Sequence, residues 1–473
     1  MNKVRSLAFA LRQPGRLVSL TVVTLSACYA VLLLTLTTAA ANGVLASVFG
    51  DNPSVIVVLA ILAFAFLVIS VVVSTVVISN TYSIVTASRV RDIALRRLLG
   101  SEARTERRRI AADGLGTGFT GAVLGGLLGI AISVAAIRFA ASDQELLLDA
   151  DAAGSSLTPA IAVPLALIVL CTWWAAWRGS RGVIDVQPIQ ALGVAAIGGA
   201  DESEARSRIP LAGLVTLVVG VVLLLGTAAL GVITPLASLL GLVAGTVTVI
   251  GFIGSASWTI PLVLRLVDLL LPRTFGAKRA AESLQRHPLR TSRAALGVTI
   301  SVAVVTMFVV ASASFEATLT RAYAGSESEG DAYSIIGMVL VVVLALISFT
   351  VVIAAIGLAN AVSLSTRLRS REIALMRVLG QTRAGVAGSI VSESARLSIA
   401  ATLTGLVMGF AFGWIGTQSL LGSIRDIGLV VPVVPPLFLV GTVVAGLALT
   451  VLASVSPTRD VLRDAPIEAF SRA

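Results

Sequence analysis

Apolar runs of twenty residues or more recur along the chain, separated by short stretches rich in Arg, Asp and Glu. A hydrocarbon core about 30 Å thick is crossed by about 20 helical residues, so each run is long enough to span a bilayer. The pattern predicts spans near 17–41, 54–80, 113–137, 159–177, 210–231, 234–260, 294–315, 333–360, 397–420 and 434–455. The fifth and sixth are joined by little more than Gly231 to Pro235 and read as a hairpin. The expected fold class is therefore an all-α polytopic membrane protein of about ten transmembrane helices. Composition agrees: 56% apolar and 13% charged residues, with a mean hydropathy of +0.98, cannot coat a water-soluble surface at this length. Little chain is left for a separate soluble domain.

Charge sets the expected orientation. Of the 35 Lys and Arg, 32 fall on alternate connections and the N- and C-terminal segments, while Arg138, Arg321 and Arg425 stand singly on the others. Lys and Arg resist translocation, so both termini are expected to be cytoplasmic. The opposite connections carry acids instead, Asp143, Glu145, Asp149 and Asp151 in one and Glu316, Glu327, Glu329 and Asp331 in another. The net charge of +10 thus reads as topology and as contact with anionic headgroups, and no nucleic-acid partner is expected. Residues 1–41 imitate a secretory signal, and Leu25–Cys28 a lipoprotein box. The apolar run continues well past Cys28, which favours a retained first span. Cys28 and Cys171 both lie within spans and have no metal-ligand spacing, so they read as small packing residues.

An internal repeat organises the rest. Residues 89–100, Arg-Val-Arg-Asp-Ile-Ala-Leu-Arg-Arg-Leu-Leu-Gly, match 369–380, Arg-Ser-Arg-Glu-Ile-Ala-Leu-Met-Arg-Val-Leu-Gly, at 8 of 12 positions with an offset of 280. The register extends to Asn80 with Asn360, Asp113 with Glu393, and Gly125 and Gly129 with Gly405 and Gly409. Arg12–Arg16 pairs with Arg286–Arg290 before each unit, and Pro188–Leu192 with Pro466–Phe470 after it. The plan is 4 + 2 + 4: a first four-helix repeat over 1–193, a cytoplasmic linker and transmembrane hairpin over 194–272, and a second repeat over 273–473. An even number of spans separates equivalent points, so this is a parallel duplication, unlike inverted-repeat transporters. The span interiors also lack the ionisable groups that proton or sodium coupling requires.

Within the repeated segment, Ile93, Leu95, Leu98 and Leu99 alternate with charged residues, as do Ile373, Leu375, Val378 and Leu379 in the second copy. Each segment predicts a short amphipathic surface helix, closed by Gly100 or Gly380 in a left-handed cap. One such helix would read as a membrane-surface anchor. Two alike in one chain suit a docking surface for a two-fold partner. The repeated segments, the acid that follows each and the glycines beyond resemble the FtsX-like permease domain of ABC transporters, over about four-fifths of the chain.

The resemblance implies that Arg89, Arg91, Asp92, Ile93, Leu95, Arg97 and Gly100, with Arg369, Arg371, Glu372, Ile373, Leu375, Arg377 and Gly380, form coupling helices seated on a cytoplasmic ABC ATPase dimer. It implies mechanotransmission, in which closure of that dimer tilts the helices and reshapes the outer side. No G-x-x-x-x-G-K-[S/T] loop occurs, so ATP and Mg are expected to be used by the partner, with no cofactor, metal or catalytic residue in this chain. Asp113 and Glu393 are candidates for transmitting the motion, although carboxylates near a helix N-terminus are also favoured by the helix dipole. Many relatives carry a large outer domain between the first two helices of a repeat. Only about 42–53 and 316–332 occupy those places here, too little to fold alone, which speaks against tripartite efflux, lipoprotein release or hydrolase activation.

The expected function is the permease subunit of an ATP-driven exporter in a bacterial cell membrane, moving a hydrophobic or amphiphilic substrate such as a peptide antibiotic, lipid or toxin. The alternative is a signalling or regulatory subunit acting on a sensor kinase or cell-wall enzyme. Gly121, Gly125 and Gly129 read as helix-packing positions, Trp173, Trp174 and Trp177 as an interfacial belt, His287 as a lone histidine without catalytic partners, and 194–208 as a linker.

Overall fold

The computed structural model describes residues 16–45, 53–88, 98–140, 159–180, 210–270, 288–323, 380–423 and 428–442, with Ile93, Leu95, Arg96, Leu284, Val378 and Val444. Eight helices long and apolar enough to cross a membrane occur among them. They are α1 (Arg16–Leu45), α2 (Pro53–Ser88), α3 (Ala103–Ala140), α4 (Ala162–Gly179), α5 (Leu211–Leu230), α6 (Ala237–Leu270), α7 (Pro288–Tyr323) and α8 (Arg383–Leu421). These correspond to the first seven expected spans and the ninth. The expected span 333–360 and most of 434–455 lie outside the described residues, as do the linker 194–208 and His287. Pro53 and Pro288 open α2 and α7, positions where a missing N–H removes no helix bond.

Two helices depart from expectation. α3 has 38 residues and begins ten residues before the expected boundary at 113; α8 has 39 and begins at Arg383 instead of 397. Their first turns are too polar to register as membrane span, yet Ala, Arg and Glu are good helix formers. At 1.5 Å per residue each helix is about 57 Å long, far beyond a hydrocarbon core of about 30 Å. The excess carries Arg104, Arg107, Arg108 and Arg109 on α3. Neighbouring contacts direct the starts of α1, α3, α5, α7 and α8 and the ends of α2, α4 and α6 towards the same end of the bundle, the basic end.

Both units are built on one close helix pair. A Cβ added at Gly125 would lie 2.7 Å from Ala27 Cβ and 3.0 Å from Cys28 N, and one at Gly129 would lie 2.9 Å from Cys28 O and from Val31 Cβ. On α8, a Cβ at Gly405 would lie 2.7 Å from Thr299 O and 2.8 Å from Val302 Cβ, and one at Gly409 would lie 2.5 Å from Thr306 Cβ. The contacted residues on α1 and α7 differ by 275 throughout, the glycines by 280. The glycines therefore serve packing: missing side chains let two parallel helices meet backbone to backbone. Cys28 is buried in this seam and Cys171 accepts a hydrogen bond from Thr75 Oγ1 at 3.0 Å, tying α2 to α4; both thiols are free.

The hairpin α5–α6 closes through turns at 231–236 and packs on α7 and α8. Its basic end is fixed to the second unit by a hydrogen-bonded ion pair between Arg396 on α8 and Asp268 on α6, with Arg396 only 5% exposed. The two units meet where α2 approaches α6 and α7, with the rings of Phe66 and Phe308 5.7 Å apart. One apolar core runs through this contact, joining Tyr29, Leu33, Phe66, Phe252, Ile260 and Phe308.

Candidate functional site

The two repeated segments end at the basic end as expected from their glycines. Gly100 has φ +101° and Gly380 φ +89°, the left-handed region in which a Cβ is strained. In the first copy the short helix closes with Leu99 N–H donating to Leu95 O at 3.1 Å and Ser101 N–H to Arg96 O at 3.0 Å. The second bond spans five residues around a left-handed glycine, the signature of a Schellman cap, which satisfies carbonyls that the helix end would leave open. Only two residues then separate Gly100 from α3 and Gly380 from α8. Each junction leads without a loop into a helix that crosses the membrane.

Burial divides the apolar residues of the first segment. Ile93 is buried, whereas Leu95, Leu98 and Leu99 are exposed, Leu99 by 88%. Val378, at the position of Leu98, is 62% exposed. The predicted apolar face is thus one residue packed inward and several left uncovered within this chain. Of the expected coupling residues, Arg89, Arg91, Asp92 and Arg97, and Arg369, Arg371, Glu372, Ile373, Leu375 and Arg377, lie outside the described residues.

Asp113 and Glu393 occupy matching, half-buried positions and both are held by contacts within the chain. Because α3 and α8 begin ten residues ahead of them, they stand about three turns inside their helices. The dipole reading therefore falls away, since that effect fades within the first turn. The tryptophans differ among themselves: Trp173 and Trp174 are exposed as an interfacial belt requires, but Trp177 carries the Arg107 guanidinium over its ring, 4.1 Å from the centroid.

A buried clamp beneath the first junction was not anticipated. Glu106, 3% exposed, accepts a hydrogen bond from Ser101 Oγ at 3.1 Å and faces Arg96 Nη1 at 3.7 Å. It joins the last turn of the short helix to the first turn of α3. The second junction has Val386, fully buried, at the position of Glu106, and Met376 in the sequence at the position of Arg96. Both partners change together between the copies, and that paired change is the signal in the repeat alignment that marks them as neighbours. The second junction instead starts α8 with an N-cap, Thr382 Oγ1 accepting from Gly385 N–H at 3.1 Å.

Comparison with curated proteins found no match. A family model described as FtsX-like permease C-terminal matches residues 64–183 and 344–466, just over half of the chain. The first match takes in most of α2, the junction at Gly100, and all of α3 and α4; the second includes the junction at Gly380 and all of α8. FtsX-like permeases are membrane components of ABC systems that work with cytoplasmic ABC ATPases, and the apolar helices and the family together make this a multi-pass cell-membrane protein. The chain belongs to the FtsX-like permease family.

Proposed function

We propose that this chain is the permease of an ATP-driven exporter, that the Gly100 and Gly380 junctions are the two seats of its ATPase dimer, and that it exports or extracts a hydrophobic or amphiphilic molecule from the membrane. The carrying observation is the exposure of Leu95, Leu98, Leu99 and Val378 on paired segments at the basic end, each segment leading within two residues into a membrane-crossing helix. Apolar side chains in that position favour a protein surface that covers them. Closure of an ATPase dimer bound there would displace both short helices. With no loop to absorb the movement, the displacement passes into α3 and α8 as rigid rods, and the close seams carry it to α1 and α7. Asp113 and Glu393, held a few turns along the same rods, keep their proposed part in this transmission. ATP and Mg are used in the partner.

What surrounds the spans supports the proposed cargo class. Only residues 46–52 separate α1 from α2, so no folded domain stands between them to grip a soluble protein. A molecule captured from within the bilayer needs none. The test is ATPase turnover of the complex reconstituted in lipid, with and without amphiphilic peptides and single-chain lipids. Turnover raised by an amphiphile is the expected result; turnover indifferent to every amphiphile would contradict the export reading.

A further inference from the structure

The inserted hairpin is the one membrane-crossing part that the duplication does not account for. Its helix α6 faces α2, α7 and α8 across a cavity of about 250 Å³ between the two units. The cavity follows α2 from Ile61 to Val76, a length of about 22 Å at 1.5 Å per residue, in the half of the bundle away from the basic end. Spread along that length, the cavity is an elongated slot that suits an extended chain.

Its chemistry is uniform. No charged side chain occurs among the described residues that line it. The hydroxyls of Ser238, Thr246, Ser312, Thr417 and Ser419 donate to carbonyls of their own helix or its leading turn at 2.6–3.1 Å, leaving no free hydroxyl donor among the described lining residues. The glycines here differ from those of the packing seams. A Cβ at Gly245 or Gly416 would meet nothing within 4 Å, and one at Gly241 nothing nearer than 3.7 Å. At Gly125 and Gly409 the missing side chain is replaced by a neighbouring helix; along the slot it is replaced by space. Apolar cavities stay dry and take apolar ligands, and an unfilled one forfeits dispersion contacts along its whole lining. In a bilayer, hydrocarbon is the material at hand.

We propose that the slot holds one hydrocarbon chain of a membrane amphiphile and that α6 of the inserted hairpin is its wall. The inference rests on the permease reading only in assigning that amphiphile to the cargo class; occupancy itself needs no ATPase. The test uses the full chain in detergent with a diazirine-bearing palmitate, irradiation and peptide mapping. Label is expected on the α2 peptide containing Ile61–Val76 and the α6 peptide containing Gly241–Val249, above that on the exposed α3 face at Phe119, Leu124 and Leu127. Filling the slot with Gly245→Leu and Gly416→Leu should remove the slot label and leave that on α3. Gly226→Leu, which adds the same side chain in open space outside the slot, should change neither. Slot labelling no heavier than α3 labelling in the unaltered protein would overturn the proposal even if the filled variant failed to fold, as would slot labelling unmoved by filling. Native mass spectrometry before the probe is added separates the sources. A co-purified phospholipid displaced by palmitate identifies a resident bilayer lipid, and an initially empty protein that gains one palmitate identifies exchangeable cargo; a protein that neither holds a lipid nor gains palmitate would overturn the proposal. Loss of amphiphile-stimulated ATPase turnover with the label retained would count against the permease reading alone.

Discussion

The first and second junctions share a backbone and differ in what holds it. Each has a left-handed glycine, two further residues and a long helix that passes into a glycine-packed seam. Beneath the first lies a polar clamp, Glu106 with Ser101 and Arg96; beneath the second lies buried Val386. The second unit has its own charge pair, buried Arg396 with partly exposed Asp268, but places it on the hairpin, where the first unit has Gly116 at the matching position. The left-handed turn and the long helix are the shared structural parts, while the side chains bracing them are ionic in one copy and apolar in the other.

The largest expected effect comes from the pair of Arg396 with Asp268. Arg396→Met leaves Asp268 without its guanidinium and should cost about 3 kcal/mol or more, read as a lowered melting temperature in detergent. Adding Asp268→Leu should recover most of the loss, because an apolar pair of similar volume needs no ionic compensation. Failure of the double variant to recover would mean that the pair does more than hold the hairpin.

Next come the seams, where the copies should behave alike. Gly125→Val and Gly409→Val each push a side chain into the backbone of the facing helix, and each should cost about 3 kcal/mol. A seam that tolerated its valine would break the equivalence of the two rods. The clamps should then separate the copies. Glu106→Ala strands Ser101 and Arg96 and should cost about 1–3 kcal/mol, less in high salt because Arg96 is half exposed and its charge is screened. Val386→Ala should cost about 1–2 kcal/mol by lost burial, with no salt dependence. Equal salt dependence would remove the distinction between ionic and apolar bracing.

Smallest are the turns themselves. Gly100→Ala and Gly380→Ala meet no neighbour within 4 Å, so only backbone strain remains, about 1 kcal/mol at each junction. Unequal losses would show that one turn is held by contacts and the other by conformation alone.

Much of this was legible in the sequence because it depends on local pattern. The spans follow from runs of apolar residues, and the left-handed turns from glycine at the end of a short amphipathic segment. The seams follow from glycines in a shared register. What local pattern misses falls into three kinds. The early starts of α3 and α8 are hidden because a membrane window stops at the first arginines although a helix does not. The Glu106 clamp is hidden because pairing depends on burial across a turn; only the joint replacement of Arg96 and Glu106 by Met376 and Val386 points to it. The slot is hidden because Gly125 and Gly245 look alike in a chain and differ only in what lies opposite.

If both junctions seat an ATPase dimer, recovery of that dimer with the tagged chain depends on the side chains exposed there. Leu98→Asp and Val378→Asp change matching exposed side chains and should leave the helices folded and inserted. The unaltered chain should bring down an ATPase carrying a phosphate-binding loop, each single variant should recover less, and the double variant should recover none. Full recovery by the double variant would contradict the assignment of these junctions as the seats.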